Sequence, residues 1–153
     1  MNDRKPGSIP ALLRMPEVNV VIFSFLLSFP WEMWQVPFYQ GISNMPHWQA
    51  VKLCTAATVG DVAIALLAFW AVAIWVRSRT WIFHASWRAV SGFTSVAVAA
   101  IIFLEWLSME YFHLWKYVYW MPTLPVVDTG LNALLQWILV PPLVVWFVRR
   151  QLT

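Results

Sequence analysis

Read for the alternation of apolar and polar positions, the chain divides into four long apolar runs separated by short stretches that hold most of its charge. The runs cover roughly residues 18–38, 51–76, 89–107 and 131–148. Each reaches or approaches the ~20 residues that carry a helix across ~30 Å of hydrocarbon at ~1.5 Å rise per residue. The pattern predicts an all-α integral membrane protein, a four-helix transmembrane bundle forming one domain over residues 1–153. Prolines fall in two runs, Pro30 and Pro37 in the first and Pro141-Pro142 in the fourth. Spanning helices tolerate proline where neighbours or water satisfy the freed carbonyls, so the first run is predicted to kink, or to end early, between residues 29 and 38.

The stretches between the runs have their own signatures. Residues 1–16 read as a short basic arm, with a surface helix predicted near residues 10–15. Residues 40–48 (QGISNMPHW) form a turn-rich loop, and RSRTWIFHASWR is a basic connector. Residues 108–130 form an interfacial segment, into which the third helix is predicted to continue through EYFHLWKYVYW. Asp128, Thr129 and Gly130 offer capping chemistry for the fourth helix.

Composition strengthens the membrane reading. The chain is 61% hydrophobic and 11% charged, with mean hydropathy +0.65. A soluble domain is about 45–50% apolar and about 25% charged. The net charge of +3 reports topology and gives no footprint for nucleic acid. Arg4, Lys5, Arg14, Arg77, Arg79, Arg88, Arg149 and Arg150 lie on one side of the spans, against Lys52 and Lys116 on the other. That bias predicts both termini and the middle connector in the cytoplasm, with the chain multi-pass in the cytoplasmic (inner) membrane. An even number of spans independently requires the termini to share a side. The first run lacks a small-x-small cleavage pattern and is read as a span. Most of the twelve tryptophans fall near predicted span ends, as an aromatic belt does.

Helical rise sets the depth of each polar group. Glu32 lies about 21 Å above the start of the first span, and Asp61 about 15 Å into the second. Glu105 sits in the outer third of the third span; Asn132 and Gln136 occupy the outer turns of the fourth. Ser28, Glu32 and Gln35 share one helix face, as do Cys54, Thr58 and Asp61. An intramembrane carboxylate facing lipid costs roughly 2.5–3.5 kcal/mol. Three would cost roughly 7–10 kcal/mol together, so Glu32, Asp61 and Glu105 are predicted to point inward into a pocket opening outward. Glu32, Gln35, Thr58, Asp61, Glu105, Asn132 and Gln136 are therefore the candidate ligand-binding residues. The competing reading is that they act as interhelical glue, and for Gln35, Thr58, Asn132 and Gln136 it carries the greater weight.

A second set, Met45, His47, Cys54, Met109, Glu110, His113 and Met121, combines thioether, thiol, imidazole and carboxylate in the outer half. Thioether, thiolate and imidazole suit copper(I), so copper is the one cofactor the sequence suggests. Methionine also fills gaps in cores without any metal. Enzyme signatures are absent: there is no H-E-x-x-H, no G-x-S-x-G and no histidine box. The single cysteine excludes a dithiol relay within the chain.

The segments PWEMWQVPFY, VGDVAIALLAFW, EWLSMEYFHLWKYVYWMPTLP and TGLNALLQWILVPPLVVW resemble a group of small four-span bacterial membrane proteins. The resemblance covers most of the chain beyond residue 30. It implies a membrane architecture and carries no activity and no catalytic residue. Two classes of function stand against each other. One is a membrane protein that binds or moves a small cation, a proton or a neutral ligand through its carboxylates. The other is a non-catalytic subunit that mates its polar faces and residues 111–121 with other membrane subunits, or with itself. The bilayer is a partner in both.

Overall fold

The computed structural model describes residues 11–125 and 128–152. Among them the chain is helical, and its only β pairing is two isolated bridges, Tyr39 with Tyr117 and Thr123 with Gly130. The long helices are α1 over Pro16–Gln35, α2 over His47–Val76, α3 over Trp87–Trp106 and α4 over Leu131–Leu152.

Local chemistry explains their ends. α1 begins on Pro16, where a missing N–H leaves no bond unmade. It runs through Pro30 and stops at Gln35, and a 3-10 turn over Val36–Phe38 comes next, around Pro37. Only the second proline of the run thus coincides with a helix end. α2 starts at His47, so the end of the predicted 40–48 loop is already helical. Its 30 residues reach about 45 Å. It closes on Arg77, held in the left-handed region at φ 56°, while the Ser78 N–H returns to the Ala73 carbonyl at 3.0 Å. That is a Schellman-type stop. The Ser86 hydroxyl caps α3 by accepting from the Ala89 N–H at 3.3 Å.

The third helix departs from expectation at its far end. Beyond Trp106 it widens into a π turn over Leu107–Tyr111 and stops, short of the predicted continuation through Trp120. His113 takes φ 50°, and the Leu114 N–H turns back to the Ser108 carbonyl at 3.0 Å. The chain after it then pairs with the end of α1. Gln40 N–H bonds the Lys116 carbonyl at 2.9 Å, and Val118 N–H bonds the Phe38 carbonyl at 3.0 Å. Backbone pairing with residues 38–40 has displaced the helix. Before α4, Asp128 turns the chain at φ 48°, and the Leu131 N–H is taken by the Pro122 carbonyl at 3.0 Å. The predicted surface helix near residues 10–15 is a 3-10 turn over Ala11–Arg14; residues 1–10 of the predicted arm lie outside the described residues.

The helices form a ring in chain order, α1 packing on α2 and α4, and α3 on α2 and α4. Their alternating direction brings Arg77, Arg79, Arg88 and Arg149 to one end, called here the basic end. At that end Arg79 grips Glu17 through Nε to Oε1 at 2.5 Å and Nη2 to Oε2 at 2.9 Å. The apolar core fills this half with Phe69, Val72, Trp81, Ile82, Phe93, Val144 and Val148. Gly92 is needed there, because a Cβ would meet the Trp75 ring at 2.9 Å.

Polarity is inverted relative to a soluble bundle. α1 buries Asn19, Ser24, Ser28, Glu32 and Gln35 while exposing Leu26 and Trp34. On α2, Asp61 and Thr58 are buried and Leu67 and Ile74 are exposed. Large contiguous apolar surface of this kind marks a membrane or partner face. Among the described residues, three helices are long and apolar enough to cross a membrane: His47–Val76, Trp87–Tyr111 and Leu131–Gln151. The sequence predicts four such spans; α1 falls short of the other three. Its interior face and its two ends carry Glu17, Asn19, Glu32 and Gln35, which dilute its hydropathy.

The Arg79 guanidinium holds the Glu17 carboxyl below the usual carboxylate range, outweighing the opposing effect of burial. A depressed pKa contributes stability above the unfolded value and loses it as pH falls through the folded one. We therefore expect Glu17→Gln to lower the thermal unfolding temperature by a few degrees at most at neutral pH, since Arg79 is exposed. The gap to wild type should close as a pH series descends into the acid range.

Candidate functional site

Opposite the basic end, the four helices hold a partly open cavity of about 460 Å³. Its size falls within the range of small-molecule sites, about 300–1,000 Å³. All three predicted carboxylates line it: Glu32 from α1, Asp61 from α2 and Glu105 from α3. They are 8%, 6% and 4% exposed, so each has left bulk solvent. Gln35 and Gln136 also line the cavity, and α4 reaches it through Gln136. Among the described residues, no lysine or arginine does so.

Cross-helix hydrogen bonds hold this arrangement. Gln136 Nε2 donates to Asp61 Oδ2 at 2.7 Å, tying α4 to α2. Asn132 Nδ2 donates to Gln35 Oε1 at 3.1 Å, tying α4 to α1. The Cys54 thiol donates to the Glu32 carbonyl at 3.6 Å, joining α2 to α1. Glu32 has Gln35, Gln136 and Asp61 around its carboxylate, and Asp61 has Gln136, Ser28 and Glu32. Glu32 and Asp61 are thus neighbours, while Glu105 stands apart with a partner of its own.

That partner is Tyr117, whose hydroxyl donates to Glu105 Oε2 and accepts from the Gly130 N–H at 3.2 Å. Burial, then the adjacent Glu105, push the Tyr117 phenol far above its usual range, so it stays a donor. Gly130 permits the contact: a Cβ there would lie 2.7 Å from Tyr117 Cζ and 3.0 Å from Met121 Cε. Tyr117 packs on Tyr39 with ring centroids 5.2 Å apart, and Tyr39 meets Trp115 edge-on at 6.3 Å. Tyr39, Trp115 and Trp137 give the cavity its aromatic wall. Trp137 is 1% exposed, and its indole N–H has no acceptor among the described residues.

The predicted ligand-binding set divides. Glu32, Gln35, Asp61, Glu105 and Gln136 reach the cavity. Thr58 does not line it and donates within its own helix to the Cys54 carbonyl at 2.8 Å. Asn132 stands behind Gln35 as a positioning group. The soft-donor set is dispersed. Met45 and Cys54 line the cavity, whereas His47 is exposed at the start of α2. Met109 and Glu110 lie in the π turn, and His113 Nδ1 bonds the Met109 carbonyl at 2.9 Å. Met121 is buried beside Gly130. Among the described residues, no group of three His, Cys, Asp or Glu is placed to hold a metal ion.

Sequence reasoning missed Tyr39, Tyr117 and Trp137. The tyrosines come from segments that meet only because residues 112–125 fold back over the cavity, and no periodicity signals that. Trp137 comes directly after Gln136, and its spacing from Ala133 and Val140 marks it as inward. Comparison of the chain with protein families, curated proteins and solved structures finds no match.

Tyr117→Phe leaves Glu105 buried without its donor. We expect a loss of roughly 1–3 kcal/mol, read as a lower unfolding temperature in detergent. Gly130→Ala should reproduce the defect by driving the Tyr117 ring off Glu105, with no polar atom removed.

Proposed function

We propose that the chain is a four-span protein of the cytoplasmic (inner) membrane, with both termini cytoplasmic. Its outward cavity binds, or moves, a small cation, a proton or a neutral ligand. One observation carries this reading: three carboxylates from three helices line the same cavity, with no basic side chain among its lining residues. Scattered carboxylates, each satisfied locally, would have favoured a purely structural role. Intramembrane carboxylates that face a cavity mark ion, proton and substrate paths. α1 spans with the others in this reading, since its 20 residues reach about 30 Å and its polar side faces the bundle.

Glu32 and Asp61, side by side, form the primary site. Gln35 and Gln136 orient it, and Glu105 with Tyr117 forms a second acceptor. A cation between Glu32 and Asp61 exchanges water for two carboxylates in a low-dielectric setting, where such attraction is strongest. The aromatic wall adds cation–π attraction for an ammonium head.

Methylammonium titrated calorimetrically against the protein in nanodiscs tests this. Wild type should bind. Asp61→Asn and Glu32→Gln should each weaken binding roughly tenfold or more, about 1.4 kcal/mol. Folding should survive Asp61→Asn, because its amide oxygen still accepts from Gln136. Undiminished binding by both variants would remove the carboxylates from the function.

A second reading, a subunit that docks with other membrane proteins, draws on the aromatic surface of residues 111–120, where Tyr119 is 98% exposed. Purification in mild detergent decides it: a stoichiometric companion supports docking, and a lone monodisperse bundle opposes it.

A further inference from the structure

The cavity has two unlike sides. Its polar groups, Glu32, Gln35, Asp61 and Gln136, converge from α1, α2 and α4. The side formed where α2 meets α3 is largely apolar, built from Leu53, Ala57 and Gly60 opposite Ile101 and Leu104, with Glu105 and Ser108 beyond them. Leu53, Ala57, Gly60 and Leu104 line the cavity and are exposed, as are Gln40, Met45 and Leu114 toward the loops. The wall between the cavity and the outside is therefore thin at the seam between these two helices, as it is at the loops.

Gly60 locates the opening. Glycine in a helix interior is intrinsically unfavourable, and a close packing partner normally accounts for it. Here no heavy atom lies within 4 Å of an added Cβ, whereas Gly92, on α3 near the basic end, is pressed against Trp75. The seam is shut at the basic end and open beside Asp61. In a membrane, such an opening faces acyl chains. Residues 38–40 and 116–118 pair across the far end instead, so Tyr39 and Trp115 stand on the side toward the loops.

We propose that the ligand is a single-chain amphiphile with an amine head, admitted from the bilayer through the α2–α3 seam. This rests on the cavity being a ligand site, as proposed above. The amine answers the carboxylates, which have no basic partner, and the aromatic faces of Tyr39, Trp115 and Trp137 suit an ammonium. The chain lies along Leu53, Ala57, Gly60, Ile101 and Leu104, where apolar contact replaces lipid.

The test uses the full chain in phosphatidylcholine nanodiscs with three probes: ethanolamine, a long-chain amino alcohol carrying a diazirine in its tail, and the matching long-chain alcohol without the amine. Gly60→Leu is the diagnostic variant, because the space beside Gly60 admits the side chain and leucine favours the helix. Its unfolding temperature should not fall. The amino alcohol should label Ile101 and Leu104 saturably on irradiation, and Asp61→Asn should cut that labelling roughly tenfold. Gly60→Leu should cut it comparably and weaken ethanolamine binding, measured by calorimetry, by much less. Equal saturable labelling by the amine-free alcohol would mean lipid contact alone and would overturn the proposal. So would unchanged labelling in Gly60→Leu, or an equal loss of ethanolamine, with the carboxylate site left standing. Failure of ethanolamine and methylammonium alike to bind wild type would instead remove the site itself.

Discussion

Gln136 donating to Asp61 is the contact around which the rest of the far half is arranged. It joins α4 to α2 across the bundle interior, and it does so with polar groups where a soluble bundle would place leucines. A carboxylate without partners is costly in any apolar medium, so Asp61 needs donors near it, and the helices that supply them must be adjacent. The same logic joins α4 to α1 through Asn132 and Gln35, and α2 to α1 through Cys54 and the Glu32 carbonyl. Among the described residues, α3 has no such side-chain tie to the other three helices. Its one buried acid, Glu105, is satisfied by Tyr117 from the loop segment.

That asymmetry has a structural consequence. At the basic end α3 is held by small residues and aromatics, with Ala89, Phe93 and Ala97 fully buried at four-residue intervals and Trp75 set against Gly92. The next position in the stripe, Ile101, is only half-buried and borders the cavity. Ridge-to-groove packing thus gives way to open space partway along α3. The bundle is a tight apolar clamp at one end and a polar chamber at the other. Packing density is ordinarily high throughout protein interiors, so a chamber of this size, walled by acids, is a feature that competing close-packed arrangements failed to eliminate.

The helices were legible in the sequence because a bilayer leaves little choice: long apolar runs become helices. Their far ends were less so. Residues 108–120 carry enough aromatic and aliphatic side chains to read as a helix, and the reading failed because backbone pairing with residues 38–40 lies outside any local window. The convergence of Glu32, Asp61 and Glu105 was legible from cost alone, since burying each is cheaper than facing each to lipid. Which neighbours share the cavity was not. Thr58 sits on the same helix face as Asp61, yet its hydroxyl returns to its own backbone, a common recourse for threonine in apolar helices. The metal set failed as a group for a related reason. Sequence placed its members at one depth, and depth alone says nothing about position around the ring. α1 falls short of the other three by hydropathy, because a polar interior face lowers the score of a helix whatever its outer face carries.

The π turn over Leu107–Tyr111 ties these observations together. A π turn carries an extra residue per turn and rotates the next residues away from the direction an α-helix would give them. Ser108, within it, lines the cavity, and Glu105 lies just before it. The widened turn ends α3 near the cavity and starts the return of residues 112–118 over the site, where Tyr117 meets Glu105. An α-helix continued regularly to Trp120 would carry Tyr117 three turns beyond Glu105 along the same axis, out of reach. Glu105 can be buried on α3 because the helix stops, and the segment released by that stop supplies both its hydrogen-bond donor and the aromatic cover of the chamber.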